Sequence, residues 1–232
     1  YALYRLPRVR RVFAVSGAGH DELRAQGVPA PRIARVSNFL DLNTPVPAPR
    51  PAPEGPISLL FLGRLSPEKG LDLLLSALAL PSTPRCRLDI VGDGPERAAL
   101  ERATSDAGLA AHVAFHGFQA HVAPFLAAAD ALVMPSRREG LPMALIEAVA
   151  AALPIVAAGV GGIPELVTAG ENGELAAPDD APALAAAIGR LVAAFPARQA
   201  AAQARALAAR RAYSPIAWAD ATRAVYEAAS RG

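Results

Sequence analysis

The sequence predicts an α/β fold, a parallel sheet with helices on both faces. Two observations carry that expectation. From residue 57 onward, short apolar runs of strand length alternate with segments of helical period, the order of successive strand–helix–strand units. The runs are mainly apolar, as strands covered on both faces are. A third observation says where chemistry belongs. Loops rich in glycine and charge follow the strands, and open parallel sheets bind ligands beyond the carboxyl ends of their strands.

The elements follow in order. Val12-Phe13-Ala14-Val15 reads as a strand, residues 18–26 as a polar helix stopped by Gly27 and Pro29, and residues 32–36 as a second short strand. This unit is too small to bury a core by itself. Pro45, Pro47, Pro49, Pro51, Pro53 and Pro56 make residues 45–56 an extended, semi-rigid linker. Strands are then expected at 57–62, 87–91, 113–116, 131–134 and 154–157. Helices are expected at 71–80, 95–107, 121–128 and 143–151, with a short one near Pro164. Residues 180–232 are alanine-rich and helical. Leu184, Ile188, Leu191 and Val192 form one apolar face, and Pro215 opens a last helix that packs through Trp218, Val225 and Tyr226.

Composition removes several classes. The chain has 232 residues, 53% hydrophobic and 19% charged, with a net charge of +2, enough for a substantial core. Lys69 is the only lysine among 23 basic residues, and the arginines form no basic stripe of the kind that binds nucleic acid. One cysteine, Cys86, excludes an internal disulfide and a cysteine-based metal cluster. No uncharged run is long enough to span a bilayer. The stretch Tyr4-Arg5-Leu6-Pro7-Arg8-Val9-Arg10-Arg11 suits either an acidic membrane surface or a helix end flanking a strand. The chain opens on Tyr1, not Met, and is expected to be a fragment.

Five loops concentrate the candidate chemistry. Gly63-Arg64-Leu65-Ser66-Pro67-Glu68-Lys69-Gly70 offers a guanidinium fork and an ammonium, together a match for a diphosphate. Gly92-Asp93-Gly94-Pro95-Glu96-Arg97 lacks the last glycine of a dinucleotide fingerprint, so Gly92 reads as a close backbone approach to a base. His116-Gly117-Phe118 closes another strand. His116 and His121 have no third ligand at metal spacing, and no metal or other cofactor is expected. Pro135-Ser136-Arg137-Arg138-Glu139-Gly140-Leu141-Pro142 leads into a helix at Met143. It places Glu139 above a strand and Glu147 about one turn into the helix, with seven residues between them. Pro142 suits the first helical position, and the free amides of Met143, Ala144 and Leu145 make an anion site. Alone, the two glutamates also describe a solvated loop and an ordinary helix surface. In Gly161-Gly162-Ile163-Pro164-Glu165, the carboxylate of Glu165 sits near a helix N-terminus for dipole reasons.

In this order and spacing, the five loops resemble the donor-binding half of the retaining GT-B glycosyltransferases of family 4, the group 1 glycosyltransferases. The resemblance covers residues 12–232. It implies a Rossmann-like sheet, the C-terminal half of a GT-B fold, with a remnant of the N-terminal acceptor domain at 1–44. The linker at 45–56, a donor domain at 57–214 and a helix at 215–232 crossing back to the N-terminal domain complete the division. By the same resemblance, Gly63, Arg64 and Lys69 hold the donor diphosphate, and Val91, Gly92 and Phe118 line the base. Glu147 binds ribose. Glu139, the candidate catalytic residue, contacts the transferred sugar, with amides of Gly140, Leu141, Met143 and Ala144 nearby.

The implied ligands are a nucleotide-diphosphate sugar such as a UDP-sugar, and a glycan or glycolipid acceptor. The implied location is cytoplasmic, free or peripheral on the inner face of a membrane. Departures from the family pattern are Pro142 where Gly is frequent, Phe39 within Asn38-Phe39-Leu40-Asp41, and Ala152 where the family has glycine. An epimerase of the same architecture and a non-catalytic nucleotide-sugar-binding module remain open at this level.

Overall fold

The structure is a computed structural model that describes residues 8–40, 53 and 55–230. The expected linker therefore lies outside the described residues except for Pro53, Gly55 and Pro56. Residues 4–7 of the basic opening stretch and Asp41 lie outside them too.

The main sheet is built from β3 (Ile57–Leu62), β4 (Cys86–Val91), β5 (Val113–Gly117), β6 (Ala131–Met134), β7 (Ile155–Ala158) and β8 (Gly173–Ala176). All neighbours are parallel, in the order β5-β4-β3-β6-β7-β8. The strand at Gly173–Ala176 was not anticipated. It is a four-residue edge strand, Gly173-Glu174-Leu175-Ala176, with a single large apolar side chain, so no apolar run marks it in the sequence. Its Glu174 is buried, with its side chain 4% exposed. It accepts from Arg190 at 2.9 Å and Arg198 at 2.9 Å, which makes burial of that charge tolerable.

Side chains of β3 divide the core. Ile57, Leu59 and Phe61 join one cluster with α2 (Leu71–Leu78), α3 (Arg97–Asp106) and α6 (Ala181–Ala193). Leu60 and Leu62 join a second with α4 (Ala123–Ala128) and α5 (Met143–Ala150), which Ala209 of α7 (Phe195–Ala212) completes. The strand period of two thus sends alternate residues to opposite faces, and both faces are covered by helices. Leu184, Ile188 and Leu191 of α6 are buried as their spacing predicts. The helix expected near Pro164 is a single 3₁₀ turn, Ile163–Glu165.

A second, two-stranded sheet pairs β1 (Val12–Ala14) with β2 (Ile33–Arg35) in parallel across α1 (Gly17–Ala25). Ala14, Val28 and Ile33 form its small core. It leans on the main body. Leu40 is fully buried against Leu141, Ile146 and Ala150, and its amide donates to Tyr213 O at 2.7 Å. The last helix, α8 (Pro215–Ser230), also meets this unit. Trp218 lies 5.0 Å from Phe39 and Tyr226 lies 6.4 Å from Phe13, centroid to centroid. Ala229 O accepts from Arg10 at 2.7 Å.

Winding reverses between β3 and β6: successive strands add outward through β4 and β5 on one side, and through β7 and β8 on the other. The crevice beyond the carboxyl ends of β3 and β6 is therefore the switch point at which such sheets bind ligands.

Candidate functional site at the switch point

Two loops face each other across this crevice: residues 63–70 after β3 and 135–142 after β6. Lys69 Nζ donates to Glu139 Oε1 at 2.7 Å, and Ser136 Oγ donates to the same oxygen at 2.8 Å. The Glu139 side chain is 7% exposed and that of Lys69 26%. An ammonium and a hydroxyl thus fix a nearly buried carboxylate that would otherwise be costly to desolvate. Arg64 is exposed and makes no ion pair among the described residues.

The remaining loops pack on these. Gly92 has φ +140, and a Cβ there would lie 1.8 Å from Gly63 O. Gly161 has φ +55, and a Cβ there would lie 1.9 Å from Glu139 O. Both glycines are therefore required by a neighbouring loop's backbone. The sequence reading assigned close approach at Gly92 to a ligand base; here the neighbour is Gly63.

Two cavities open beside this junction. One, of about 380 Å³, is lined by Gly63, Arg64, Val91, Gly92, Phe118, Ala144 and Glu147, with Asp93, Gln119 and Val122 among the rest. The second, of about 620 Å³, is lined by Arg64, Lys69, Glu139 and Gly140, by Arg137 and Arg138, and by Ala18 and Glu22 of α1. Arg64 borders both. Ten of the twelve site residues read from sequence thus come together around one crevice. The side chains of the other two do not line it. Leu141 is buried with Leu40 and Ile146, and Met143 is exposed at the start of α5.

Pro142 is the residue before α5, with φ −70 and ψ 137, not its first helical residue. The amide of Leu145 donates back to Pro142 O at 3.2 Å, which removes it from the expected set of free donors.

Other assignments shift as well. Glu165 does not serve its own turn. Its Oε1 accepts from the Gly17 amide at 2.7 Å at the start of α1, and its Oε2 pairs with Arg35. His116 Nε2 lies 2.6 Å from Asp89 Oδ1, with no role for His121 in that pair. Three contributors had not been singled out. Asn38 Nδ2 donates to Leu141 O at 2.6 Å. Ser136 stands three residues before the carboxylate it holds, a spacing visible in the sequence. Glu22 carries no sequence signal for its place in the second cavity.

Asp72, in the first turn of α2, accepts from Arg137 at both oxygens, at 2.9 and 2.7 Å. That hydrogen bond holds its carboxyl below the ordinary 3.8, against an opposing effect of burial. A depressed carboxylate stabilises the fold fully above its unfolded pKa, and the contribution is lost as pH falls through the folded value. Asp72→Asn is accordingly expected to lower stability near neutrality and to flatten its decline below about pH 4. Urea denaturation between pH 6 and 3 measures both; an unchanged acid limb would remove Asp72 from the account.

The family model of the glycosyl transferases group 1 matches residues 56–194. The chain belongs to that family. Among its relatives, it is 40% identical over 209 residues to the glycogen synthase of Mycobacterium tuberculosis, covering 86% of this chain and 49% of that one. It is 40% identical over 146 residues to the GDP-mannose-dependent alpha-(1-6)-phosphatidylinositol monomannoside mannosyltransferase of Mycolicibacterium smegmatis, covering 58% and 38%. Among solved structures, Anabaena Alr3699/HepE in complex with UDP superposes with a TM-score of 0.79 at 25% identity, covering 96% of this chain and 64% of that one.

The group 1 sheet seen here is the C-terminal half of the GT-B architecture. The chain spans from 18% to 49% of the length of the curated relatives named or compared. No helix among the described residues is long and apolar enough to cross a membrane.

Proposed function

We propose that this chain is the donor-binding half of a retaining glycosyltransferase of family 4. It binds a nucleoside-diphosphate sugar across the switch point. With an N-terminal acceptor domain, to which we assign residues 1–44 and the final helix at 215–232, it transfers the sugar to a hydroxyl of a glycan or lipid-linked saccharide. The observation that carries the reading is the Lys69–Glu139 pair at 2.7 Å, beside Arg64 where the two cavities meet.

In this reading the nucleoside occupies the cavity between Gly92 and Phe118, and Glu147 accepts from the ribose hydroxyls. Arg64 and Lys69 neutralise the diphosphate. Glu139, oriented by Lys69 and Ser136, accepts from hydroxyls of the transferred sugar. When the bond from the anomeric carbon to the diphosphate breaks, negative charge grows on the departing phosphate oxygen. Arg64, Lys69 and the unshared amides at the start of α5 are placed to stabilise it. Pro142 contributes no N–H, so this site has one donor fewer than a loop with glycine there. Retention means that the new bond forms on the face the diphosphate leaves.

A UDP complex is named for the Anabaena protein and GDP-mannose for the mycobacterial one, so both bases belong in the test. Titration calorimetry with UDP, GDP and ADP is expected to find one diphosphate bound clearly best. Arg64→Ala should weaken it by roughly 1.5–3 kcal/mol, the range for hydrogen bonds to charged groups. Equal affinity in wild type and variant would sink the assignment.

A further inference from the structure

We infer that Arg137 is the positioning residue of the donor-phosphate site, the group that sets where Lys69 stands. The inference rests on the donor reading above. It concerns a residue to which neither the sequence pattern nor that reading gives a role.

Arg137 grips the Lys69 loop from both sides. Its Nη1 donates to Pro67 O at 2.6 Å, and its main-chain N–H donates to Glu68 O at 2.8 Å. Both acceptors belong to the 3₁₀ turn Pro67–Lys69. Beyond the turn, Nη1 and Nη2 hold the two oxygens of Asp72 at 2.9 and 2.7 Å. Nε donates to Asp179 Oδ1 at 2.5 Å, which ties in the loop after β8. Asp179 is a non-glycine residue with φ 55, a conformation that surrounding contacts must maintain.

Two residues further on, Glu139 takes the ammonium of Lys69 itself. The two loops also touch through Gly70, where a Cβ would lie 2.2 Å from Pro135 O. One guanidinium therefore sets the turn carrying Lys69 relative to the loop carrying Glu139.

Direct donor binding by Arg137 fits less well, although it lines the larger cavity. Its Nε, Nη1 and Nη2 are all engaged by protein acceptors. A plain stability role fits less well too. The carboxylates of Asp72 and Asp179 are 55% and 61% exposed, so solvent screens part of what these pairs add to stability, and the modest contribution expected from Asp72 does not by itself explain the contacts made to the Lys69 turn. What the arrangement supplies is geometry: a planar fork meets Asp72 at two points, which lysine does not reproduce. Because Arg64 borders both cavities and Lys69 only the larger one, Lys69 reaches the phosphate farther from the nucleoside. Losing Arg137 should therefore be felt by a diphosphate and not by a monophosphate.

The test is a double-mutant cycle on the full chain, read by titration calorimetry with UDP, UMP, GDP and GMP. Arg137→Gln is expected to weaken the bound diphosphate about tenfold, the size of coupling seen between contacting residues. The matching monophosphate should change by less than about twofold, and Arg137→Lys should not rescue. In a Lys69→Met background, Arg137→Gln should add less than about threefold. Asp179→Asn, which takes the charge from one contact and leaves the guanidinium in place, gives a milder loss of the same kind if Arg137→Gln fails to fold.

Diphosphate binding unchanged in the folded Arg137→Gln or Asp179→Asn variant would overturn the inference and leave the donor reading intact. Equal losses for diphosphate and monophosphate, or losses that multiply in the double variant, would do the same. A wild-type chain that binds none of UDP, GDP and ADP would overturn both.

Discussion

Lys69→Met is expected to weaken binding of the preferred nucleoside diphosphate about 10- to 100-fold and to destabilise the fold by about 2 kcal/mol. The binding loss follows from removing a charged hydrogen-bond donor from the phosphate site. The stability loss has a separate cause. Without Lys69, the Glu139 carboxylate, 7% exposed, keeps only the Ser136 hydroxyl at 2.8 Å among the described residues. Breaking a buried pair costs roughly 3–5 kcal/mol. Lys69 is 26% exposed, so water partly replaces it and the loss falls below that range, to about 2 kcal/mol. The double variant Lys69→Met, Glu139→Gln separates the two effects. Urea denaturation should show most of the stability restored, because no unpaired charge remains. Calorimetry should show binding still lost. If binding recovers together with stability, Lys69 acts on the fold and not on the ligand.

Gly92→Ala carries the largest expected stability effect, a loss of about 3–5 kcal/mol, together with loss of nucleotide binding. Two costs combine. The residue has φ +140, and a Cβ would sit 1.8 Å from the carbonyl oxygen of Gly63. Positive φ costs an L-residue about 1–2 kcal/mol, and overpacking against fixed groups adds about 1–3 kcal/mol or more. Gly63 precedes Arg64, so any relief of the clash displaces the proposed phosphate-binding loop. Gly108→Ala is the control. Gly108 has φ +69 with nothing within 4 Å of its Cβ position, so only the conformational cost of about 1–2 kcal/mol applies. Thermal and urea denaturation of both variants compares them directly; equal losses would refute the loop-contact argument.

Much of this molecule is legible in its sequence. The apolar runs at 57–62 and 131–134 became central strands, because strands covered on both faces need no polar alternation. The loops with glycine and charge all fall at the carboxyl ends of strands. The edge strand at Gly173–Ala176 escaped, since its identity depends on pairing with Ile155–Ala158 and on two arginines that neutralise Glu174. Glu165 was read from its own neighbourhood, but its partners, Gly17 and Arg35, lie more than a hundred residues away in sequence.

Ala152 joins both levels. The family resemblance flags it as a departure from glycine, and the structure places it at φ 59, the left-handed position that ends a helix.

By itself, the sequence determined the α/β class, and it pointed to the strand-end crevice of the candidate site and to most of the residues that line it. Those depend on period, apolar content and turn chemistry within short windows. Only the tertiary structure decided which charges meet. Lys69 and Glu139 are seventy residues apart, and Arg137 reaches Asp72 across sixty-five. The strand order juxtaposes the loops after β3 and β6 at the point where winding reverses. A hydrogen bond needs its partners within about 3 Å, and chain order alone specifies no such distance.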